Sequence, residues 1–166
     1  SHNARTASAH WVGIDCEPEM IEKASEACRS FDNIELVCDD IRKFEFERCD
    51  FVVDFLTTQF LTRWERRNLY GKVFKSLREG GAMFIYEKTL QTDGFMQDLV
   101  GLLYSRFKRF HGLTHEQIAL KSESVYGVIK PETRKNVKNM LKSSGFAQVS
   151  LIMKYLNFEG YLAVKR

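Results

Sequence analysis

The chain has 166 residues, enough for one ordinary hydrophobic core and short for two, and its 44% hydrophobic and 28% charged composition excludes disordered and collagen-like classes. Its 25 basic and 22 acidic residues leave a formal charge of only +3, so no nucleic-acid partner is expected from net charge. No apolar run approaches the length of a membrane span, and Ser1 to His10 holds no apolar core of a secretion signal, so a cytoplasmic protein of one domain, residues 1–166, is expected.

In chain order, His10 to Asp15 (HWVGID) is a short apolar run ending in an acid, and Pro18 opens a helical pattern with Met20, Ile21, Ala24, Ala27 and Cys28 on one face. Ile34 to Val37 reads as the next strand, before Asp39 and Asp40, and Cys49 to Leu56 as a longer β-branched and aromatic one. Arg63 to Leu77 carries Leu69, Val73 and Leu77 at helical spacing; Gly80-Gly81 is expected to supply its left-handed cap, and Ala82 to Glu87 the following strand. Residues 89–130 leave this alternation. Helical patterns at Met96 to Phe110 and Thr114 to Glu123 mark an inserted helical cap, whose stripe of Leu99, Leu102, Leu103, Arg106 and Phe107 covers a pocket, packs on its own domain or meets a second copy. A helix from about Pro131 to a Gly145 cap follows, then strands Ala147 to Lys154 and Phe158 to Lys165. Only Tyr155, Leu156 and Asn157 separate these strands, too few for a crossover, so they form an antiparallel hairpin. The expected class is α/β, a mostly parallel sheet with helical crossovers that finishes in that hairpin.

Ligands of doubly wound sheets lie at the carboxyl ends of the strands, which directs attention to the acids there. Asp15 can accept two ribose hydroxyls, helped by the following helix N-terminus, or cap the helix at Pro18. Asp40 and Ile41 suit an adenine amino group and its ring face, although Asp39-Asp40 equally forms an Asx turn. In Phe55 to Gln59 (FLTTQ), Thr57 and Gln59 put a hydroxyl and an amide where cofactor and substrate would meet, or are ordinary strand-end polar residues. Tyr86, Glu87 and His111 are candidate general bases, with Glu87 beside Lys88 also readable as a local ion pair. The basic clusters Arg63-Arg66-Arg67 and Arg106-Lys108-Arg109 read as solvated faces. His111 and His115 are interrupted by Gly112 and lack a third ligand, so no metal is expected. Cys16, Cys28, Cys38 and Cys49 include no C-x-x-C pair and read as reduced thiols.

Several runs resemble one family. TTQFL (Thr57 to Leu61), YEK (Tyr86 to Lys88), FKRFHGLTHEQI (Phe107 to Ile118), SGF (Ser144 to Phe146) and NF (Asn157 to Phe158) resemble carboxy-S-adenosylmethionine synthase, a branch of the class I S-adenosylmethionine-dependent methyltransferase fold. The likeness runs from the strand at Trp11 onward. It implies a Rossmann-like sheet whose first strand and glycine-rich loop would precede Ser1, with the helical insertion between strands five and six. It also implies S-adenosyl-L-methionine as cofactor, Asp15 and Cys16 as the ribose pair, Asp40 and Ile41 as the adenine pair, and a homodimer built through the inserted helices. The enzymes resembled use prephenate to make carboxy-S-adenosylmethionine for wobble-uridine modification of tRNA. Beyond the glycine-rich loop, two departures stand out: an asparagine of the family is Phe55 here, and the arginine that clamps the extra carboxylate is Ser122, beside Lys121. Serine cannot make a bidentate charged pair, and lysine offers only a point charge. These departures turn the expectation toward methyl transfer to a small molecule held near Thr57, Gln59, Lys121 and Ser122. The synthase reaction, with Lys121 or Arg134 standing in for the arginine, and a non-catalytic association domain are the alternatives.

Overall fold

The computed structural model describes residues 9–166; of the N-terminal stretch read above for a secretion signal, residues 1–8 lie outside the described residues. The chain forms two compact units, Ser1–Glu45 and Phe46–Arg166. Among the described residues no helix is long and apolar enough to cross a membrane.

In the first unit β1 (Trp11–Asp15) leads through α1 (Pro18–Cys28) to β2 (Ile34–Cys38), and the strands pair in parallel from Trp11↔Ile34 to Asp15↔Cys38. Pro18 opens the helix at a position whose N–H would have no helical acceptor in any case. Gly13 lets β2 close in, since a Cβ there would sit 2.8 Å from Leu36 Cδ2.

The second unit runs β3 (Cys49–Phe55), a 3-10 turn (Thr58–Phe60), α2 (Arg63–Ser76), β4 (Leu77–Leu90), α3 (Gly94–Phe110), α4 (His115–Val125), β5 (Glu132–Thr133), α5 (Arg134–Ser143), β6 (Gln148–Tyr155) and β7 (Phe158–Val164). Its strands lie in the order β3-β4-β7-β6, with β5 beside the end of β4. β3 and β5 run parallel to β4, whereas β7 is antiparallel to both β4 and β6. The expected hairpin is therefore present, and its second strand is the one that enters the sheet against β4. Leu156, at φ 53, and Asn157 make the turn, and the Asn157 carbonyl accepts the Thr89 N–H at 2.7 Å, tying the turn to the end of β4.

Period-two alternation along β4 gives the unit its two sides. Met83, Ile85, Glu87 and Thr89 are buried, and the core continues with Leu69, Tyr70 and Val73 of α2 and Val137, Met140 and Leu141 of α5, which pack helix against helix. Phe84, Tyr86 and Lys88 point the other way and are half-buried. The inserted stretch contributes little to the core, because α3 buries only Val100 and α4 buries nothing.

Two expected boundaries shift. Gly80-Gly81 does not cap the helix: α2 ends at Ser76, and Leu77 is already extended and paired with Cys49. The register then jumps to Phe51↔Ala82, and the glycines serve this irregularity, since Gly80 sits at φ +79 and a Cβ on Gly81 would lie 2.8 Å from the Arg78 carbonyl. The last helix does not start at Pro131 either. Glu132 and Thr133 pair with Thr89 and Leu90, and the helix begins one residue later because Thr133 is its N-cap, its Oγ1 accepting the Asn136 N–H at 3.4 Å.

The glycines of α2 and of the α5 exit predict opposite outcomes. Gly71 lies inside α2, and a Cβ added there would meet nothing within 4 Å, so Gly71→Ala should raise stability by about 1 kcal/mol through helix propensity. Gly145, at φ +116 and with a Cβ position 2.6 Å from the Phe74 ring, should lose stability on the same change. Urea unfolding of the two variants checks the pair.

Candidate functional site

The first unit carries the expected cofactor residues at the carboxyl ends of β1 and β2. Asp15 Oδ1 accepts the Glu17 N–H at 2.9 Å, while Oδ2 has no donor among the described residues. The N-cap of α1 is Glu17 rather than Asp15, so the capping alternative for Asp15 is not the arrangement adopted. The Asp39 N–H donates to the Asp15 carbonyl at 3.1 Å, and Cys38 Sγ lies 3.9 Å from the Cys16 carbonyl, so the two strand ends are held together. All four cysteines are free thiols, with Cys16 and Cys38 exposed. An apolar recess of about 200 Å³, lined by Gly13, Ile14, Met20, Ile21 and Leu36, opens beside Asp15.

Asp40 does form the Asx turn: Oδ1 accepts the Arg42 N–H at 2.9 Å. The Arg42 guanidinium also grips both oxygens, Nε to Oδ1 at 2.8 Å and Nη2 to Oδ2 at 2.6 Å. These hydrogen bonds hold the carboxyl down to about 2. Ile41 is half-buried in the same turn. The free acceptor Oδ2 therefore suits a ribose hydroxyl at Asp15, whereas an adenine amino group at Asp40 would share oxygens that Arg42 already engages.

At the end of β3 the polar residues divide between scaffold and surface. Asp54 is buried and accepts from the Thr57 and Thr58 N–H groups at 3.3 and 3.1 Å and from the Thr58 hydroxyl, which starts the 3-10 turn. Burial pushes its carboxyl up. Gln59 is buried too: its Nε2 donates to the Leu56 carbonyl at 3.0 Å and its Oε1 accepts the Lys88 N–H at 3.2 Å. Its amide stitches β3 to β4, so the strand-end alternative describes Gln59. Thr57 remains exposed, its hydroxyl donating to the Phe55 carbonyl at 3.3 Å.

Glu87 is fully buried, which separates it from its neighbour Tyr86. Arg66 of α2 donates to it from Nη1 at 2.8 Å, to the Leu61 carbonyl from Nε at 3.2 Å and to the Lys130 carbonyl from Nη2 at 2.5 Å. Desolvation outweighs the attraction of Arg66 and pushes the carboxyl up to about 7, and Glu87 Oε1 has no hydrogen-bond partner. A group with no exposure meets no substrate proton, so Glu87 is a structural counter-charge and its ion pair is with Arg66 rather than Lys88. The Arg63-Arg66-Arg67 cluster dissolves accordingly: Arg63 pairs with Glu132 at 2.6 Å, Arg66 is buried, and Arg67 alone faces solvent unpaired among the described residues.

On the opposite side of the sheet the rings form a ladder. Phe55, 60% exposed, stacks on Tyr86 at 5.2 Å; Tyr86 stacks on Phe158 at 5.9 Å; Tyr104 meets Phe158 edge-on at 5.4 Å. Phe107 continues it, 5.2 Å from Tyr155 and 4.1 Å from His111. His111 is exposed at the end of α3, with Nδ1 2.9 Å from the Phe107 carbonyl. Lys108 Nζ lies 4.4 Å over the Tyr104 ring. Burial, then the charges of Lys88 and Lys121, push the Lys108 ammonium down, and burial does the same to Lys88. No carboxylate pairs with these three lysines among the described residues. Ser122 turns its hydroxyl back to the Ile118 carbonyl at 2.7 Å, and Arg134 donates to Glu159 at 2.6 Å. Tyr104, Lys108 and Phe158 escaped the sequence reading as a site. The signals were the i, i+4 spacing of Tyr104 and Lys108 on α3 and the position of Phe158 opposite Lys88. No group of His, Cys, Asp and Glu among the described residues is arranged to hold a metal ion.

A family model described as a methyltransferase domain matches residues 1–81. The carboxy-S-adenosyl-L-methionine synthase of Staphylococcus epidermidis is 33% identical over 163 residues, 98% of this chain and 71% of that protein. Its counterpart from Shewanella halifaxensis is 32% identical over 157 residues, 93% of this chain and 65% of that protein. The chain thus spans about two thirds of these relatives' length. Among solved structures, an O-methyltransferase family 2 protein of Planctomyces limnophilus in complex with apigenin superimposes with a TM-score of 0.68 at 20% identity, over 95% of this chain and 43% of that one. Human N-acetylserotonin methyltransferase in complex with SAM gives 0.60 at 13% identity, over 93% and 39%. At such identities these structures speak to the fold alone.

The buried Glu87 predicts a pH dependence. Unfolded, its carboxyl ionises near 4.5; folded, burial keeps the proton to about 7. The folded state binds more protons in that window, so the contribution of this group is complete below 4.5 and is lost as pH rises through about 7. Urea unfolding between about pH 4.5 and about pH 8 should show that decline in the parent and a flatter profile in Glu87→Gln.

Proposed function

We infer that this chain, which belongs to the class I S-adenosylmethionine-dependent methyltransferases and lies near their carboxy-S-adenosyl-L-methionine synthase branch, transfers a methyl group to a small acidic molecule. S-adenosyl-L-methionine is the cofactor. Its sulfonium supplies both the methyl carbon and the leaving group, so the protein's task is to orient and to exclude water, with no obligatory base. Asp15 would take the ribose hydroxyls on its free Oδ2, with Cys16 beside it, and Ile41 would pack on the adenine with Asp40 as a shared acceptor.

The observation that carries the acidic acceptor is the lysine trio on the aromatic ladder. Lys88 and Lys121 both press on Lys108, which lies over the Tyr104 ring, with no paired carboxylate among the described residues, and an anionic ring compound would relieve that repulsion. Tyr86, with its hydroxyl raised by burial, stays a proton donor there at neutral pH; His111 lies against Phe107 of the ladder, and Thr57 is exposed two residues after Phe55. Phe55 offers a ring where the family has an amide, which suits stacking rather than hydrogen bonding.

The second reading, carboxy-S-adenosyl-L-methionine synthesis, is favoured by the names of the relatives. It lacks a bidentate clamp at Ser122, leaving Lys121 as the nearest cation in sequence. On either reading residues 1–166 act as one methyltransferase domain with 89–130 as its cap. A cytoplasmic setting agrees with exposed free thiols at Cys16 and Cys38. A homodimer through the inserted helices agrees with the exposed Phe95, Leu99, Leu102, Leu103 and Phe110 of α3.

Calorimetry of the full chain with S-adenosyl-L-methionine and with its carboxylated analogue tests the assignment. Tighter binding of the ordinary cofactor, weakened by about ten- to a hundredfold in Asp15→Ala, is the expected outcome, as loss of a charged hydrogen bond requires. Tighter binding of the carboxylated form would move the assignment to the synthase.

A further inference from the structure

We propose that the paired outer faces of α2 and α5 bind the phosphodiester backbone of single-stranded nucleic acid. This surface shares no residue with those assigned to cofactor or acceptor above. The slight net charge concealed it, because the cations come from two segments of sequence that meet only when the helices pack.

Each helix buries one stripe and turns the opposite one to solvent. On α2 the exposed stripe is Trp64, Arg67, Asn68 and Lys75, spaced by helical turns, with Gly71 leaving a gap between them. On α5 it is Lys135, Asn139 and Lys142, with Lys138 half-buried between them, and α5 contains no acidic residue. The Ser144 hydroxyl donates to the Arg67 carbonyl at 3.4 Å, which brings the end of α5 onto the basic stripe of α2. Arg67, Lys75, Lys135, Lys138 and Lys142 have no carboxylate partner among the described residues, whereas Arg63, Arg66 and Arg134 all do.

Helix electrostatics does not account for this pattern. Lys75 and Lys142 stand in last turns, where a cation is favoured, but Lys135 stands in the first turn of α5, where it is disfavoured. Lys135 with Lys138, and Lys138 with Lys142, are like charges at the spacings that repel along a helix. A row of phosphates would neutralise that repulsion. Trp64, 73% exposed, adds a flat ring at one end of the stripe for a base to stack on, and two asparagines add hydrogen-bonding amides. An anionic membrane fits less well, because the apolar stripes of both helices are already spent on the core at Leu69, Val73, Val137 and Leu141.

Fluorescence anisotropy of the full chain with labelled single-stranded RNA and DNA of about 20 nucleotides tests this over a salt series. Expected is salt-dependent binding whose log-log slope shrinks by about 2 in the triple variant Lys135→Ala, Lys138→Ala, Lys142→Ala, from about 0.7 per lost phosphate contact. The matching lysine-to-arginine triple should restore it, which separates charge from folding. Trp64→Ala should weaken binding about fivefold or more with the slope unchanged, the mark of a lost stacking platform. RNA favoured over DNA would point to the 2′-hydroxyl as an added contact, and equal affinity to backbone alone; either supports the surface. The proposal is overturned if neither strand binds at low salt, if the alanine triple binds as the parent does, or if phosphatidylserine vesicles or polyglutamate compete as well as the oligonucleotide.

Discussion

Two acids set the terms for the larger unit. Glu87 of β4 and Glu159 of β7 stand directly opposite in the antiparallel pair, on its buried side, where like charges facing each other are destabilising. The structure answers with one arginine for each: Arg66 from α2 on Glu87, and Arg134 from α5 on Glu159. Tyr161 also donates to Glu159, and Lys154 lies 3.1 Å from it. The two environments then diverge. Glu87, fully buried, has its carboxyl raised, while hydrogen bonds from Arg134, Tyr161 and Lys154 overcome the burial of Glu159 and keep its carboxyl low. The arrangement explains why the chain keeps polar residues at the centre of a sheet. Arg66 also ties the Leu61 and Lys130 carbonyls to β4, so the return from the helical insertion is fixed to the same point as the start of α2. Removing Glu87 would strand the fully buried Arg66 guanidinium, a cost of about 3 to 5 kcal/mol in comparable pairs.

That commitment decides what remains for chemistry. Because side chains alternate along a strand, sending Glu87 and Asp54 toward the helices sends Tyr86, Lys88 and Phe55 to the other side. The buried side is charge-paired scaffold, and the open side is rings and unpaired lysines. Tyr86-Glu87-Lys88 is therefore no single catalytic run, since strand geometry separates its middle residue from the two that flank it.

Strand and helix periodicity also explains why some features were legible in sequence and others were not. Strands such as Trp11–Asp15 and Cys49–Phe55, and the hairpin of β6 and β7, follow from apolar periodicity and a connection too short for a crossover. Pro18 announced its helix because its ring suits the first turn. Gly80-Gly81 misled because a glycine pair signals positive φ and close approach without saying whether a helix end or a strand irregularity needs them. Pro131 misled because a two-residue strand has no periodicity to read. The partners of Arg63, Arg66 and Arg134 are Glu132, Glu87 and Glu159, and Arg63 and Glu132 stand 69 residues apart. Local pattern shows a cluster of arginines; only the packed sheet shows which are neutralised.

On the proposed function, point charges in place of a clamp have a consequence for the acceptor side. An arginine fork fixes a carboxylate in one plane and stays charged under all ordinary conditions, whereas Ser122 contributes no charge and its hydroxyl is turned back into α4. The cations that remain near the ladder are lysines, and Lys108 and Lys88 are partly desolvated, with their ammonium groups lowered. An anion arriving there favours the charged form of each, whereas a guanidinium is charged with or without it. Lysine also imposes no plane on the group it binds, so orientation must come from the rings, from Tyr86 stacked between Phe55 and Phe158 and from Tyr104 beneath Lys108. Under the proposed function, a site built this way would select for a flat body carrying negative charge more strongly than for the geometry of any one carboxylate.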